Sequence, residues 1–141
     1  MRPAVLLAGL ASLLAPGPAD AASPSPSVAG LWRNPRGTVV VRAGPCADRL
    51  CGWVAWAAPE AKADARAGGT ERLIGLELLR GYRAGTDGIW SGSVYVPDMG
   101  RSFSSTLAPT GDGALRIKGC LLGGFFCKAQ VWRRVDRTPD A

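Results

Sequence analysis

The sequence predicts an all-β protein, a small antiparallel up-and-down barrel of about eight strands. Short runs in which apolar and polar residues alternate recur along the chain, and clusters of Gly, Pro, Asp and Asn separate them. The 141 residues leave room for one domain. A barrel of this size is filled by its own side chains or holds one small ligand, and the sequence leaves both open.

The first residues resemble a secretory signal peptide. Arg2 supplies a positive charge, an apolar run covers 4–14, and Ala19 and Ala21 are small residues where a signal peptidase reads the chain. The run is shorter than the roughly 20 residues that span a bilayer. We therefore expect cleavage after Ala21, a periplasmic or secreted mature chain, and no transmembrane span in it.

The mature chain divides by composition. The Pro/Ser-rich stretch 22–28 is expected to be a disordered lead-in, 29–135 the single barrel domain, and 136–141 a loose tail. Within the domain, the predicted strands cover 28–33, 38–42, 52–57, 76–83, 89–96, 101–107, 114–119 and 125–135. Alternation assigns faces to them: Leu115 and Ile117 share one face, and Arg116 and Lys118 share the other.

The stretch 59–72 breaks the alternating pattern. A short helix over 60–67, ended by Gly68 and Gly69, and a long polar loop fit it equally well. The following stretch, 73–83, has leucines at helical spacing, but Gly75 and Gly81 weaken a helix, so we expect a strand over 76–83.

Four cysteines in an exported chain predict two disulfides. A hairpin centred on residues 48–49 would place Cys46 opposite Cys51, and a turn at 123–124 would bring Cys120 opposite Cys127. Local pairing is favoured among the three connectivities that four cysteines allow. A Cys₄ zinc site is the alternative, although the gaps between these cysteines are wider than typical ligand spacings.

The second pair carries a conflict of faces. Strict alternation places Cys120 with Arg116 and Lys118, but Cys127 with Ala129 and Val131. A bulge at Gly123 and Gly124 would reconcile the two faces, so we expect one there.

The composition argues against catalysis. The chain has no histidine, which removes the commonest general base and metal ligand and with it Ser-His-Asp and Cys-His chemistry. The carboxylates fall mainly in loops and turns. We expect no enzyme, no catalytic residues, no cofactor and no metal site, with a hydrolase that uses loop carboxylates as the third hypothesis.

The net charge of +6 suits contact with an anionic envelope component, while no recognition module for nucleic acid is present. Five tryptophans are also many for this length. Alternation puts Trp53 and Trp56 on opposite faces, so with Tyr95 they are candidates for a barrel mouth that takes a small apolar or sugar-like ligand. Ordinary core packing is the alternative.

The order of several short motifs resembles a known family. Gly30-x-Trp32, Leu50-Cys51-Gly52-Trp53 and Trp90-Ser91-Gly92, followed by Gln130-x-Trp132-x-Arg134, are similar to the bacterial exported family called domain of unknown function 2147, over about residues 30–135. The resemblance implies a lipocalin-like (calycin) barrel and an envelope location, and it implies no activity. One departure is Asp64, which is followed by Ala65 where such proteins usually carry Asn.

The same resemblance implies a structural role for the first strand. In calycin barrels a tryptophan there closes one barrel end and a basic residue of the last strand lies across it. Gly30 and Trp32 match the first part, and the Trp132-x-Arg134 match makes Arg134 the expected partner rather than Arg133.

Together these observations favour an exported small-ligand-binding or envelope-interaction barrel. The alternative is a structural or partner-binding envelope domain with a packed, ligand-free interior. The sequence names neither the ligand nor the partner.

Overall fold

The structure is a computed structural model that describes residues 13–15, 17, 27–121 and 126–140. Several predicted features lie outside the described residues: the apolar run of the predicted signal peptide apart from residues 13 and 14, its predicted cleavage point, residues 22–26 of the predicted lead-in, and the predicted turn at 123–124. Across 27–121 and 126–140 the chain forms eight strands and one helix: β1 (Gly30–Arg33), β2 (Val39–Cys46), β3 (Arg49–Ala57), α1 (Pro59–Ala67), β4 (Glu77–Ala84), β5 (Trp90–Val96), β6 (Arg101–Pro109), β7 (Ala114–Leu121) and β8 (Phe126–Val135).

These strands make the closed barrel that the sequence predicts. Each strand pairs antiparallel with its neighbours in chain order, and β1 pairs with β8 to complete the ring. Residues 136–140 follow β8 as bends and irregular structure. No helix in the described part of the chain is long and apolar enough to cross a membrane.

The stretch that broke the strand pattern forms a helix, the first of the two predicted alternatives. Proline stands at the first turn of α1, where its missing N–H is not needed, and Glu60 adds a favourable negative charge there. The helix ends at Ala67, Gly68 is its C-cap, and Gly69 takes a positive φ of 94°. The next segment enters β4 as the expected strand.

The two ends of the barrel differ. We call the end that holds the β2–β3, β4–β5 and β6–β7 turns the Trp32 end, and the end that holds α1 and the β5–β6 turn the α1 end. The core fills the Trp32 half with buried side chains of every second residue, among them Val41, Val54, Leu79, Tyr82, Leu107 and Leu115.

Val28 belongs to the ordered domain. The sequence placed it both at the end of the lead-in and at the start of the first strand; it is 1% exposed and part of the core, and its carbonyl accepts a hydrogen bond of 2.7 Å from the Trp32 indole N–H. This short apolar residue thus covers the Trp32 end, which the Pro/Ser composition around it conceals.

Both cysteine pairs are local disulfides, as favoured. The first pair, Cys46–Cys51, is diagonal rather than opposite, with Cα atoms 5.7 Å apart. Its hairpin turn contains Ala47 and Asp48, so Cys46 pairs with Arg49 and Cys51 pairs with Gly44. Ala47 takes a positive φ of 55° at this turn.

The second disulfide needs no bulge in the described strands. Cys120 and Cys127 lie directly opposite, and the register continues without a shift from Ala114↔Arg133 to Leu121↔Phe126. Lys118 pairs with Ala129 in this ladder, so Ala129 lies on the outer face with both cysteines. The expectation of a conflict was wrong because it placed Ala129 and Val131 inside, whereas Val131 is 44% exposed.

Candidate functional site

The α1 end contains a cavity of about 640 Å³. It begins above Trp132 inside the barrel and extends to the rim, where α1, the β1–β2 turn and the β5–β6 turn border it. The volume lies within the roughly 300–1,000 Å³ that small-molecule sites usually occupy. The barrel is therefore packed in its Trp32 half and hollow in its α1 half.

The wall of the cavity is largely apolar. Strands β4 to β8 contribute inward-facing side chains, and the segment between α1 and β4 adds another: Leu73, Leu78, Val94, Phe103, Ile117, Leu121, Phe126 and Trp132. Leu78 faces inward because β4 bulges there. Gly52 pairs with Leu79 and the next residue of β3 pairs with Glu77, so Leu78 is the extra residue of β4. An apolar body of a ligand would lose its hydration shell in this space.

Gly119 creates part of the space. It pairs with Lys128 on the inner face of the barrel, where a side chain would project into the cavity. A Cβ built on Gly119 meets Val94 Cγ1 at 3.6 Å, an ordinary van der Waals contact, so the hollow beside it is not closed by neighbours.

Two polar side chains stand on the inner face of β8. Gln130 pairs with Ile117, and Lys128, which pairs with Gly119, lies two residues nearer the rim. The ion pairs of the described residues join Arg49 to Asp48 and Arg133 to Asp112, so the Lys128 ammonium has no carboxylate partner among these residues. An unpaired cation beside an apolar wall suits a ligand with an apolar body and a polar or anionic end.

Carboxylates border the opposite part of the rim. Glu60 and Asp64 lie one helical turn apart on α1, and Asp98 lies in the β5–β6 turn; all three line the cavity and are exposed. Their side chains accept no hydrogen bond from another described residue. General acid–base work requires a carboxylate held within reach of its substrate, and nothing described holds these.

Contacts to two strand connections position α1. The Ala58 N–H donates to the Thr38 carbonyl at 2.8 Å, and the Thr70 hydroxyl donates to the Pro97 carbonyl at 3.2 Å. Between these anchors Gly68 packs on the β5–β6 turn so closely that a Cβ there would overlap the Asp98 carbonyl group. The helix is thereby fixed across part of the α1 end.

The structure separates the three residues predicted for a mouth. Tyr95 borders the cavity, while its ring lies 4.6 Å from the Arg80 guanidinium carbon. Trp53 and Trp56 do not line the cavity. Val40 pairs with Trp56 and Val41 pairs with Val54, so Ala55 is an extra residue in β3 at this point. This bulge reverses the alternation after Val54, and both tryptophans therefore lie on the outer face.

Sequence reasoning missed Phe126, Lys128 and Gln130 as cavity residues. The alternation of a strand indicates this position, because all three residues lie an even number of residues before Trp132 and therefore share its face. Cys127, Ala129 and Val131, which alternate with these residues, lie on the outer face instead.

At the Trp32 end, Gly30, Trp32 and Arg134 lie against one another. The Arg134 guanidinium carbon lies 4.3 Å from the Trp32 ring centroid. Its Nη1 donates to the Ala29 carbonyl at 2.8 Å and its Nη2 donates to the Ser27 carbonyl. A Cβ on Gly30 would overlap Arg134 Nη1, so glycine leaves room for the guanidinium.

Two hydroxyl groups are buried in the core without an ordinary hydrogen bond. The oxygen atoms of Tyr82 and Ser105 are inaccessible and find no partner of normal geometry among the described residues. Burial raises the pKa of Tyr82 to about 12, and the adjacent Ser105 hydroxyl offsets part of that rise. Neither residue lines the cavity.

The described residues contain no group of three or more His, Cys, Asp or Glu side chains that could hold a metal ion. What the α1 end offers chemically is an apolar hollow with a polar rim, an arrangement suited to reversible binding.

Comparisons with known proteins agree with this architecture. A family model described as "Uncharacterized protein conserved in bacteria (DUF2147)" matches residues 30–134. A solved structure from Helicobacter pylori, protein HP1028, described as belonging to the lipocalin family, superposes with a TM-score of 0.60 at 13% identity. The match covers 78% of this chain and 84% of that one, and it shows a shared fold. No curated protein matches the sequence.

Proposed function

This chain belongs to the bacterial DUF2147 family, and we propose that it is an exported protein that binds a small amphiphile, with the apolar part of the ligand inside the barrel. The observation that carries the proposal is the cavity of about 640 Å³ at the α1 end, open to solvent and lined mainly by apolar side chains. A packed interior, which the structural alternative requires, would leave no such space.

The polar groups suggest how the ligand is oriented. Its apolar body would lie between Phe103, Ile117 and Trp132, and its polar end would approach Lys128 and Gln130 near the rim. This arrangement favours an amphiphile over a sugar, because the deeper wall offers few hydrogen-bonding groups to satisfy several hydroxyls.

Export is part of the proposal. Two disulfides suit an oxidising compartment, and the first 21 residues have the layout of a cleaved leader. We propose cleavage after Ala21 and a periplasmic or secreted location.

The first experiment is native mass spectrometry of the processed protein purified after export, compared with its denatured mass. A mass added only in the native spectrum would support a bound ligand and begin to identify it. The denatured mass reads out the cleavage point and shows four hydrogens fewer than the reduced chain if both disulfides form.

The second experiment measures binding of a fluorescent long-chain fatty acid to wild type and to Gly119→Leu. Leucine at this position projects into the hollow beside Val94 without backbone strain, so we expect at least tenfold weaker binding with the fold intact. Ser91→Leu is the matched control, since Ser91 is exposed on the outer face of β5 and pairs with Thr106.

Equal binding by wild type and Gly119→Leu would contradict the proposal. Absence of both an added mass and fatty-acid binding would favour the structural, partner-binding alternative.

A further inference from the structure

We propose that the far end of the β7–β8 hairpin is a membrane-docking surface, which sets the α1 end of the barrel against a bilayer that contains anionic phospholipid. We call this surface the hairpin tip and define it by Leu121 and Phe126 with the flanking Lys118 and Lys128. Leu121, Phe126 and Lys128 also line the cavity, whereas Lys118 does not, so the test below includes a readout for each role.

The first observation is exposed apolar surface. Phe126 is 67% exposed and Leu121, its partner in the ladder, is 39% exposed. Met99, across the mouth in the β5–β6 turn, is 51% exposed. Three large apolar side chains therefore reach solvent at one end of the barrel, where they can enter the boundary between headgroups and acyl chains.

The second observation is charge. Residues 114–135 carry no carboxylate, and of their five basic side chains Lys118 and Lys128 lie in the half nearer the α1 end, while the three arginines lie nearer the Trp32 end. On this hairpin Lys118 lies on the outer face and Lys128 on the inner face, so cations flank the apolar pair on both sides. The carboxylates of the α1 end lie on other elements, namely α1, the segment between α1 and β4, the first residue of β4, and the β5–β6 turn. Basic side chains around exposed apolar side chains are complementary to an anionic lipid surface, which can adapt to their positions as a folded protein partner could not.

The third observation is rigidity. The Cys120–Cys127 disulfide joins the strands at the ladder pair next to Leu121 and Phe126, and the register is unbroken up to them. Both apolar side chains are thus presented together before any contact, which reduces the entropy lost on docking.

The test is sedimentation of the processed, oxidised chain with large vesicles. We expect binding to vesicles that contain one quarter phosphatidylglycerol, weak binding to pure phosphatidylcholine, and loss at high salt. Phe126→Ser should lower the partition coefficient about tenfold, and Lys118→Gln and Lys128→Gln about fivefold each. Ile89→Ser and Arg83→Gln are matched controls, because both residues are exposed at the Trp32 end.

Three results would overturn the proposal. The first is no sedimentation of wild type with the anionic vesicles, which is expected if the hairpin tip binds another protein instead. The others are equal binding to neutral vesicles and equal losses of binding in the control variants. Unfolding temperatures of all variants show whether a loss reflects folding. Lys118→Gln should keep fatty-acid binding while Gly119→Leu should keep vesicle binding, so failure of docking and failure of the cavity as a binding site can be distinguished.

Discussion

At the scale of single residues, Arg134 makes more contacts than its exposed position suggests. It stacks on Trp32 and donates to two carbonyls of the segment before β1. The neighbouring Arg133 instead makes one exposed ion pair with Asp112 at 3.6 Å. Two adjacent arginines of one strand therefore provide a matched pair for measuring what the closure of the Trp32 end contributes.

We predict that Arg134→Met lowers the free energy of unfolding by about 1–3 kcal/mol, because it removes a cation–π contact and two hydrogen bonds. Arg133→Met should change it by less than about 1 kcal/mol, since exposed ion pairs contribute little. Trp32→Ala should cost about 3–5 kcal/mol. Urea unfolding of the oxidised proteins measures all three, and equal effects of the two methionine variants would show that Arg134 has no special role.

Tyr82 makes stability depend on alkaline pH. Its folded pKa of about 12 lies above its ordinary value of 10, so the folded state disfavours the phenolate. The free energy of unfolding is therefore unaffected by this group below pH 10. It decreases as the pH rises from 10 to 12, by about 3 kcal/mol in total, because the unfolded chain ionises first.

We predict that Tyr82→Phe removes this alkaline loss and changes stability at pH 8 by less than about 1 kcal/mol, because the hydroxyl has no ordinary hydrogen bond to lose. Urea unfolding from pH 8 to 12 is the measurement. An alkaline decline of the same size in the phenylalanine variant would assign the effect to other groups.

At the scale of elements, the docking of α1 depends on a missing side chain. Gly68 lies against the Asp98 carbonyl group, and Gly100 in the same turn approaches the Gly68 carbonyl so that a Cβ on it would lie at 2.9 Å. At both positions an added Cβ would contact backbone atoms, which cannot move away as the end of a flexible side chain can.

We predict that Gly68→Ala displaces α1 from the β5–β6 turn, with a loss of about 1–3 kcal/mol and a changed affinity for the fluorescent fatty acid. Gly44→Ala is the control, since a Cβ there has no atom within 4 Å and no positive φ to strain it. Thermal unfolding and the binding titration report the two effects, and a Gly68→Ala protein with wild-type values of both would refute tight docking.

Alternation predicted elements well where strands are regular and poorly where they bulge. Leu115 and Ile117 in β7 face inward as their spacing indicates, and so does Val94 in β5. Trp53 and Trp56 were assigned to opposite faces, but the extra residue of β3 puts both outside. A bulge arises from pairing with a neighbouring strand, so one strand's own sequence does not show it.

At the scale of the whole molecule, the barrel was predictable and the cavity was not. The number of strands and their turns follow from local punctuation, and closure follows from a count of eight. The hollow depends on where α1 lies and on which inner positions are small, as Gly119 is. The position of α1 and the space beside Gly119 both depend on segments that are distant in the sequence, so no local sequence pattern predicts them.

The charges are likewise arranged at this scale. The hairpin of β7 and β8 is basic without a carboxylate, while Glu60, Asp64 and Asp98 border the other part of the same rim. The hairpin therefore offers an anionic surface or ligand cations with no carboxylate on the same element, whereas the rest of the rim carries both signs, since Arg36 also lines the cavity there.

The pairing of β1 with β8 bears on how the molecule is made. The hydrogen bond from Arg134 to Ala29 joins residues 105 apart, so a chain that emerges N-terminus first carries an unpaired strand edge until its last strand is present. Such a chain cannot form the closed ring before its last strand is present. The same adjacency of beginning and end makes the domain a natural candidate for circular permutation, with new termini placed in an exposed turn such as that between β4 and β5.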